Sequence, residues 1–145
     1  MNWTQWNNRW KIPQIKSPGV YYVALSDQDI SGHPFHYIEE IIYVGVSISK
    51  KGVLGRLYQF QKAMEGKNGV HGGAERVRFK HTDNREFFDR VYIFVKPFPL
   101  QENNPVFNWK QKGECLKEEY VSIANYLDHF GQLPEFNDQK RSKKK

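Results

Sequence analysis

Three short runs rich in β-branched and aromatic residues constrain the fold of this chain more than any other feature. The runs are GVYYVAL at 19–25, HYIEEIIYVGV at 36–46 and DRVYIFVK at 89–96. Their composition is typical of half-buried β-strands. A polar segment at 27–34 joins the first two runs, and Pro97 and Pro99 follow the third. The sequence therefore predicts a three-stranded antiparallel sheet that begins with a hairpin.

Helical periodicity replaces the strand pattern between the second and third runs. Apolar residues recur there at the spacing of one helix face, and Gly66 follows them. These residues are Val53, Leu57, Phe60 and Met64. The segment at 74–80 is a candidate for a short second helix. We therefore predict two helices between the second and third strands.

The chain after the third strand is predicted to form a loop at 105–113 and a long helix at 114–130. Gly131 and Pro134 end this helix. Four apolar residues share one of its faces, namely Leu116, Tyr120, Ile123 and Leu127. The resulting order, β-β-α-α-β-α, predicts a small α+β domain with its sheet flanked by helices.

Three tryptophans mark the start of the chain. Trp3, Trp6 and Trp10 follow one another at i, i+3 and i+7, which predicts a short amphipathic helix with the three indoles on one face. Such a stripe packs on its own domain, stacks on bases or meets a partner. The predicted organisation is an N-terminal aromatic segment at 1–17, a domain at 18–137 and a basic tail at 138–145.

Composition narrows the class of protein. A chain of 145 residues with 39% apolar residues can bury the core of one domain. Its single cysteine, Cys115, cannot form an internal disulfide, which indicates a reducing compartment and predicts a cytoplasmic protein. His33 and His36 have metal-like spacing but lie in a polar turn without a clear third ligand. No run approaches the roughly 20 apolar residues of a membrane span, so we expect no membrane partner.

Positive charge is concentrated in two places. The net charge is +6, and the residues at 140–145 include five lysines and arginines. Residues 50–80 contain eight lysines and arginines but only two glutamates. Such a block is either a solvated face or a surface that faces phosphate groups.

Five short features occur in a defined order along the chain. They are Gly19-Val20-Tyr21, Tyr43-Val44-Gly45, Arg56, His71 and Glu119. With Asn137 after the last helix, they resemble the motifs of the GIY-YIG nuclease family, with valine in place of isoleucine in both name motifs. The resemblance covers about residues 18–137. It implies the GIY-YIG fold and a metal-dependent endonuclease that hydrolyses DNA phosphodiester bonds.

The resemblance also implies a role for each catalytic candidate, and the chemistry suits the residue types. Tyr21 helps to activate the attacking water, Tyr43 faces the same phosphate, and Arg56 grips that phosphate with its planar fork. Glu119 is the implied ligand of one Mg²⁺ or Mn²⁺ ion, since such ions accept few protein ligands. His71 completes the predicted catalytic set.

A further group of residues is predicted to contact nucleic acid, namely Lys50, Lys51, Arg56 and Asn137. The lysines, Arg56 and His71 would also provide the positive field that a tyrosine, with an ordinary pKa of about 10, needs to act as a base. DNA is the expected partner and RNA an alternative substrate, and the family resemblance is compatible with a homo-oligomer. The alternative function is a non-catalytic nucleic-acid-binding module on the same fold.

Three details distinguish this chain from the family pattern. One turn after the arginine, where many members carry histidine, the residue is Phe60, so His71 is the nearby imidazole. The link at 22–42 is longer than usual, which predicts a loop insertion or an extended hairpin that contacts DNA. Glu118 and Glu119 are both candidates for the metal ligand, and helical spacing favours Glu119.

Overall fold

The computed structural model describes residues 1–66, 71–80 and 86–138, which form a mixed α+β structure. The strands are Thr4–Gln5 (β1), Gly19–Leu25 (β2), Ile41–Ser47 (β3) and Val91–Pro97 (β4). The α-helices are Gly52–Met64 (α1), Gly72–Lys80 (α2) and Pro105–Phe130 (α3), and 3-10 helices cover Trp6–Lys11, Phe87–Arg90 and Glu135–Asn137. From β2 onward the predicted order of elements is confirmed. The predicted basic tail at 138–145 lies outside the described residues except for Asp138.

The four strands form one antiparallel sheet in the order β1-β4-β2-β3. The predicted sheet had three strands, and β1 is the addition. Its two residues, Thr4 and Gln5, pair with Ile93 and Tyr92 of β4. A strand of two residues is too short to show an alternating apolar pattern, so the sequence carries no signal for it.

The central strand β2 sends alternate side chains to two hydrophobic clusters, one on each face of the sheet. Tyr21 and Val23 belong to the cluster on the side of α1 and α2, which we call the α1-side cluster. Val20 and Tyr22 belong to the cluster on the side of α3, the α3-side cluster. The four periodic residues of α1 are buried in the α1-side cluster, as predicted. The alternation therefore places the Tyr21 ring between the sheet and the first two α-helices.

The N-terminal tryptophans do not share one face. Trp3 lies in the α3-side cluster, with its ring centroid 5.6 Å from that of Phe35. Trp6 lies in the α1-side cluster, 4.6 Å from the ring of Phe88, and Trp10 is 62% exposed. The predicted amphipathic helix is wrong because β1 intervenes and the first two indoles pack on opposite faces of the sheet.

Helix α3 begins at Pro105, so the predicted loop at 105–113 is wrong. The Asn104 side chain caps the helix by accepting a hydrogen bond from the Phe107 N–H at 3.2 Å. Proline suits the first turn of a helix because its missing N–H would have no partner there. No helix in the described ranges combines the length and apolar character needed to cross a membrane.

The apolar face of α3 seen in the sequence is largely exposed. Tyr120 is 72% exposed, and Leu116 and Leu127 are exposed as well. The buried positions of the helix are Cys115, Ser122 and Tyr126. Ser122 Oγ lies 2.5 Å from the Tyr22 hydroxyl, so a small polar residue occupies the place where the helix approaches the sheet. The buried face of α3 is thus the one whose residues contact the sheet and the link before β3, with Cys115 near the Ser47 carbonyl and the Tyr126 hydroxyl donating to the Glu39 carbonyl.

The long link between β2 and β3 packs against the N-terminus. The Trp3 N–H donates to the His33 carbonyl at 2.9 Å, and the Gly32 N–H donates to the Trp3 carbonyl at 2.9 Å. The Phe35 ring lies 4.5 Å from that of Phe94 in the α3-side cluster. The link is therefore a packed loop, and its contact with DNA stays a prediction.

Candidate active site

The two tyrosine motifs meet across the β2–β3 ladder. Tyr21 lies directly opposite Gly45, and a Cβ at Gly45 would come within 2.4 Å of Tyr21 Cζ. The Tyr43 ring centroid lies 6.2 Å from that of Tyr21. A Cβ at Gly19 would lie 2.6 Å from the Lys96 carbonyl oxygen, so this glycine allows β2 and β4 to pair closely. Both motif glycines are thus required by packing within the sheet.

Helix α2 covers the second tyrosine. A Cβ at Gly73 would lie 2.6 Å from Tyr43 Cε1 and 3.0 Å from the Tyr43 hydroxyl oxygen. Since no side chain separates the two, the start of α2 lies directly on the tyrosine ring. The first turn of α2 is therefore part of the site, a contribution that the sequence motifs do not reveal.

His71 is fully buried at the start of α2 and uses both ring nitrogens. Nδ1 accepts a hydrogen bond from the Ala74 N–H at 3.1 Å and so caps the helix. Nε2 lies 2.7 Å from the Tyr21 hydroxyl oxygen. The Phe60 ring packs edge-on against the imidazole, with 5.1 Å between centroids. The structure therefore brings His71 into contact with both Tyr21 and Phe60.

The protonation state of His71 corrects one expectation from the sequence. Burial, followed by the nearby charge of Arg56, lowers the pKa of His71 to about 3. The imidazole is therefore neutral at neutral pH and adds no positive field. A neutral ring whose Nδ1 accepts a hydrogen bond carries its hydrogen on Nε2. His71 thus donates a hydrogen bond to the oxygen of Tyr21.

The Arg56 guanidinium lies beside the same phenol oxygen. Arg56 lowers the pKa of Tyr21 through its charge and through a hydrogen bond, and it lowers the pKa of Tyr43 through its charge. Its Nη1 donates to Gln59 Oε1 at 2.6 Å, three residues along α1. Sequence reasoning missed Gln59, although i, i+3 spacing on a helix is the signal that could have found it.

Burial keeps both tyrosines protonated. Burial and then Tyr43 raise the pKa of Tyr21 well above its ordinary value, and Arg56 opposes this rise. Burial also raises the pKa of Tyr43, again opposed by Arg56. Removing a proton from Tyr21 therefore depends on the cation and the hydrogen-bond donor that contact its oxygen.

Glu119 is the carboxylate that acts on the two tyrosines, since its charge raises the pKa of both Tyr21 and Tyr43. It is half-buried, and burial raises its own pKa. Its neighbour Glu118 instead binds Lys96, with 2.6 Å between Oε1 and Nζ. Glu119 has no hydrogen-bond or ion-pair partner within the described residues. This difference favours Glu119 over Glu118 as the functional carboxylate.

A second guanidinium, that of Arg76, lies near the site and was not singled out from the sequence. Arg76 follows Gly73 by three residues on α2, so it shares the helix face that touches Tyr43. Its Nε donates to the Phe136 carbonyl at 3.0 Å, which fixes the side chain. Its charge lowers the pKa of Tyr43 and of His71.

Asn137 holds the chain after α3 against the outer strand β3. The Val44 N–H donates to Asn137 Oδ1 at 2.8 Å, and Asn137 Nδ2 donates to the Val44 carbonyl at 2.9 Å. The side-chain amide thus pairs with β3 as a further strand would. This contact orders the strand between Tyr43 and Gly45, and the predicted contact of Asn137 with nucleic acid stays a prediction.

The two predicted DNA-contacting lysines lie at the start of α1. Lys50 and Lys51 are exposed and line a cavity together with Lys16. The first N–H groups of α1 are already occupied, because Val53 donates to the Ser17 carbonyl at 3.0 Å and Leu54 to that of Ile15 at 2.8 Å. A phosphate at this position would therefore bind to side chains rather than to the helix terminus.

The structure also places Cys115 and the two histidines with metal-like spacing. Cys115 is fully buried in α3, and burial raises the pKa of its thiol to about 12, so it is a packed helix residue and not an exposed nucleophile. His33 and His36 are exposed on the β2–β3 link. No group of three or more His, Cys, Asp or Glu side chains in the described part of the chain could hold a metal ion.

A single carboxylate nevertheless fits one kind of metal site. Mg²⁺ keeps several waters and is often bound through one or two carboxylates together with substrate phosphates. Glu119 has the properties such a ligand needs, because it is half-buried and unpaired among the described residues. Its donor set suits Mg²⁺ or Mn²⁺ and does not suit zinc, which prefers several nitrogen or sulfur ligands.

Comparison with known proteins adds no relative to this description. No protein family, no curated protein and no solved structure matches the chain. Statements about function therefore depend on the residues that converge beside β3, which are Tyr21, Tyr43, Arg56, His71 and Glu119.

Proposed function

We propose that this chain is a metal-dependent endonuclease of the GIY-YIG type that hydrolyses phosphodiester bonds in DNA. The observation that supports the proposal is the convergence of two phenols, a guanidinium and an unpaired half-buried carboxylate from four separate elements. These groups belong to Tyr21, Tyr43, Arg56 and Glu119. An unpaired carboxylate is costly to bury, so the presence of Glu119 near two phenols favours a functional role over a packing role.

Arg56 and Tyr43 bind the scissile phosphate in this mechanism. The planar guanidinium of Arg56 can donate two hydrogen bonds to phosphate oxygens, and Gln59 limits its motion. Tyr43 keeps its proton because burial raises its pKa, so its hydroxyl donates to the same phosphate. These donors stabilise the charge that develops on the phosphate oxygens in the transition state.

Tyr21 acts as the base in its deprotonated form, after its hydroxyl proton has passed to solvent. Arg56 and the Nε2–H of His71 stabilise this tyrosinate. The tyrosinate oxygen takes a proton from the attacking water as the water oxygen bonds to phosphorus, the bond from phosphorus to the leaving oxygen breaks, and the leaving oxygen takes a proton from solvent water. Hydrogen bonds to the charged form of a group favour that form, so these contacts offset the effect of burial on Tyr21.

Glu119 would hold the divalent ion, which when bound supplies positive charge to the phosphate oxygens. The carboxylate is ionised more readily when a cation lies beside it, which compensates for the pKa rise caused by burial. Arg56 and Tyr43 orient the phosphate, and Tyr21 accepts the proton of the attacking water.

Nicking of supercoiled plasmid DNA with Mg²⁺ tests the proposal. Wild type should convert the plasmid, while Arg56→Ala and Glu119→Ala should lose roughly 10²–10³-fold in rate. Glu118→Ala is the matched control, since Glu118 binds Lys96 instead of facing the tyrosines. If both site variants cut as fast as wild type, the assignment of the site is wrong.

Two further measurements separate DNA from RNA as the substrate and cleavage from binding alone. A labelled RNA substrate tests whether the chain prefers ribose, and a gel-shift measurement tests binding without cleavage. If wild type binds DNA but cuts neither substrate with Mg²⁺ or Mn²⁺, the non-catalytic binding module is the correct description.

A further inference from the structure

The cavity lined by Lys16, Lys50 and Lys51 lies on α1, beyond the residues of the candidate active site. Its volume is about 510 Å³. Four basic residues line it, namely Arg9, Lys16, Lys50 and Lys51, and no acidic residue of the described chain contributes to its wall. The three lysines are exposed. A cavity with this wall attracts an anion that carries more than one negative charge or that lies within a chain of charges.

The rest of the wall is apolar and partly aromatic. Leu54, Gly55 and Tyr58 complete it. Tyr58 is 60% exposed, so its ring is accessible to a ligand in the cavity. The Lys62 ammonium lies 5.4 Å from the ring centroid. The ligand that fits this wall therefore combines phosphate-like charge with a flat, aromatic body.

Arg9 gives the cavity a fixed charge. Its Nη1 donates to the Trp6 carbonyl at 2.9 Å, and its Nη2 donates to Gln61 Oε1 at 2.7 Å. The guanidinium carbon lies 4.2 Å above the Trp6 ring. Because these contacts hold the side chain in place, little entropy is lost when an anion binds beside it.

One helix carries both the cavity and the candidate active site. Gly55 lines the cavity, and the next residue, Arg56, acts on Tyr21. Successive residues of an α-helix point about 100° apart, so the two sites lie on adjoining faces of α1. A nucleic-acid strand with its scissile phosphate on Arg56 can therefore continue into the cavity.

We propose that the cavity binds a nucleotide of the substrate strand that flanks the scissile phosphate, and this inference rests on the proposed function. The phosphate of that nucleotide lies among Lys16, Lys50 and Lys51, and its base stacks on Tyr58. Binding of single strands by positive grooves with aromatic platforms follows the same chemistry and tolerates many sequences.

The test measures binding of a fluorescein-labelled oligonucleotide by fluorescence anisotropy, in a Glu119→Gln background that removes cleavage. Tyr58→Ala should weaken binding about tenfold without changing the dependence of log K on log salt concentration. Tyr58→Phe keeps the aromatic ring and should bind as tightly as the parent protein. With a single-stranded oligonucleotide, Lys16→Ala and Lys50→Ala should each lower the slope of log K against log salt by about 0.7 if each contacts one phosphate. Lys110→Ala, an exposed lysine of α3, is the matched control and should change neither quantity.

The outcomes distinguish this inference from the proposed function. If Tyr58→Ala binds as wild type does, or if Lys110→Ala lowers the slope as much as Lys50→Ala, the cavity is not a nucleotide site. If deoxyadenosine monophosphate binds as tightly as the oligonucleotide, the site serves free nucleotides and the assignment to the strand is overturned. If Tyr58→Ala loses binding but wild type never nicks plasmid, the cavity assignment stands and the endonuclease proposal fails.

Discussion

The imidazole of His71 joins the first turn of α2 to the phenol of Tyr21. Its Nδ1 accepts the Ala74 N–H at 3.1 Å, and its Nε2 lies 2.7 Å from the Tyr21 oxygen. Since burial keeps the ring neutral, the hydrogen is on Nε2 and points to Tyr21. His71 is therefore a donor that orients and stabilises Tyr21, and it cannot accept a proton from that hydroxyl in this tautomer.

The first prediction follows from this donor role. His71→Gln places an amide N–H₂ near the former Nε2, so it should keep most of the single-turnover cleavage rate at saturating DNA. His71→Ala removes the donor and should lower that rate by roughly 100-fold. If the glutamine variant is as slow as the alanine variant, His71 takes a proton during the reaction and the donor assignment is wrong.

The second prediction concerns stability at acid pH. The pKa of His71 is lowered from 6.5 to about 3 by burial, so the unfolded chain binds a proton first as the pH falls. The stability linked to this residue is present above pH 6.5 and is lost as the pH falls toward about 3, with a slope of about 1.4 kcal/mol per pH unit.

Urea denaturation at a series of pH values measures this slope. His71→Gln cannot titrate, so its free energy of unfolding should fall less steeply than that of wild type over this range. Parallel curves for the two proteins would mean that His71 is not held in its neutral form.

The third prediction uses the two adjacent glutamates. Glu119→Gln should abolish cleavage yet leave the melting temperature unchanged or raised, because it removes a half-buried charge whose pKa is raised by burial. Glu118→Gln loses only a partly exposed bond to Lys96, so we expect a cost of about 0–1 kcal/mol and normal cleavage.

Thermal melting with Mg²⁺ adds a readout that does not depend on activity. The ion should raise the melting temperature of wild type and of Glu118→Gln, and it should leave Glu119→Gln unaffected. A metal-dependent shift that survives Glu119→Gln would place the ion elsewhere.

The fourth prediction compares two glycines. Gly45→Ala forces a Cβ to within 2.4 Å of the Tyr21 ring, so it should destabilise the fold by about 1–3 kcal/mol and reduce cleavage. Gly113 lies inside α3 with no neighbouring atom within 4 Å of an added Cβ. Gly113→Ala should therefore stabilise the protein by about 0.5–1 kcal/mol, since alanine favours helix over glycine. If Gly45→Ala and Gly113→Ala change the free energy of unfolding equally in denaturant titrations, the close packing of Gly45 on the Tyr21 ring is contradicted.

The fifth prediction tests whether Arg76 works together with Tyr43. Arg76→Ala and Tyr43→Phe should each slow cleavage, and the double variant should lose less than the sum of the two effects. Arg90→Ala, which breaks an exposed ion pair with Asp27, is the control and should not couple to Tyr43→Phe. If the changes in activation free energy of the two single variants add up to that of the double variant within about 0.5 kcal/mol, Arg76 does not act together with Tyr43.

Much of the fold could be predicted because its signals are local. The strands β2, β3 and β4 and the helix α1 each show their own composition or period, and α1 buries the four residues that its spacing indicated. The start of α3 is not predicted correctly, because Asn104 and Pro105, which are common in loops, form the cap and first turn of this helix. The strand β1 was missed because two residues carry no period.

The residues of the candidate site also fall into two groups, those that the sequence predicts and those that only the folded structure identifies. Motif order in the sequence selected Tyr21, Tyr43 and Glu119, since each residue type suits a step of phosphodiester hydrolysis. Whether Glu118 or Glu119 is free depends on Lys96, which lies on a different strand. Arg76 reaches the site only because α2 packs on Tyr43.

Local sequence patterns are enough to predict the order of elements from β2 onward, the opposite faces of the strand on which Tyr21 and Tyr22 lie, and the residue types available for chemistry. These properties depend on neighbours along the chain. The tertiary structure alone decided the buried face of α3, the neutral tautomer of His71 and the unpaired state of Glu119 among the described residues. Burial and hydrogen bonding between distant residues set these properties, because desolvation and partner choice exist only after the chain has folded.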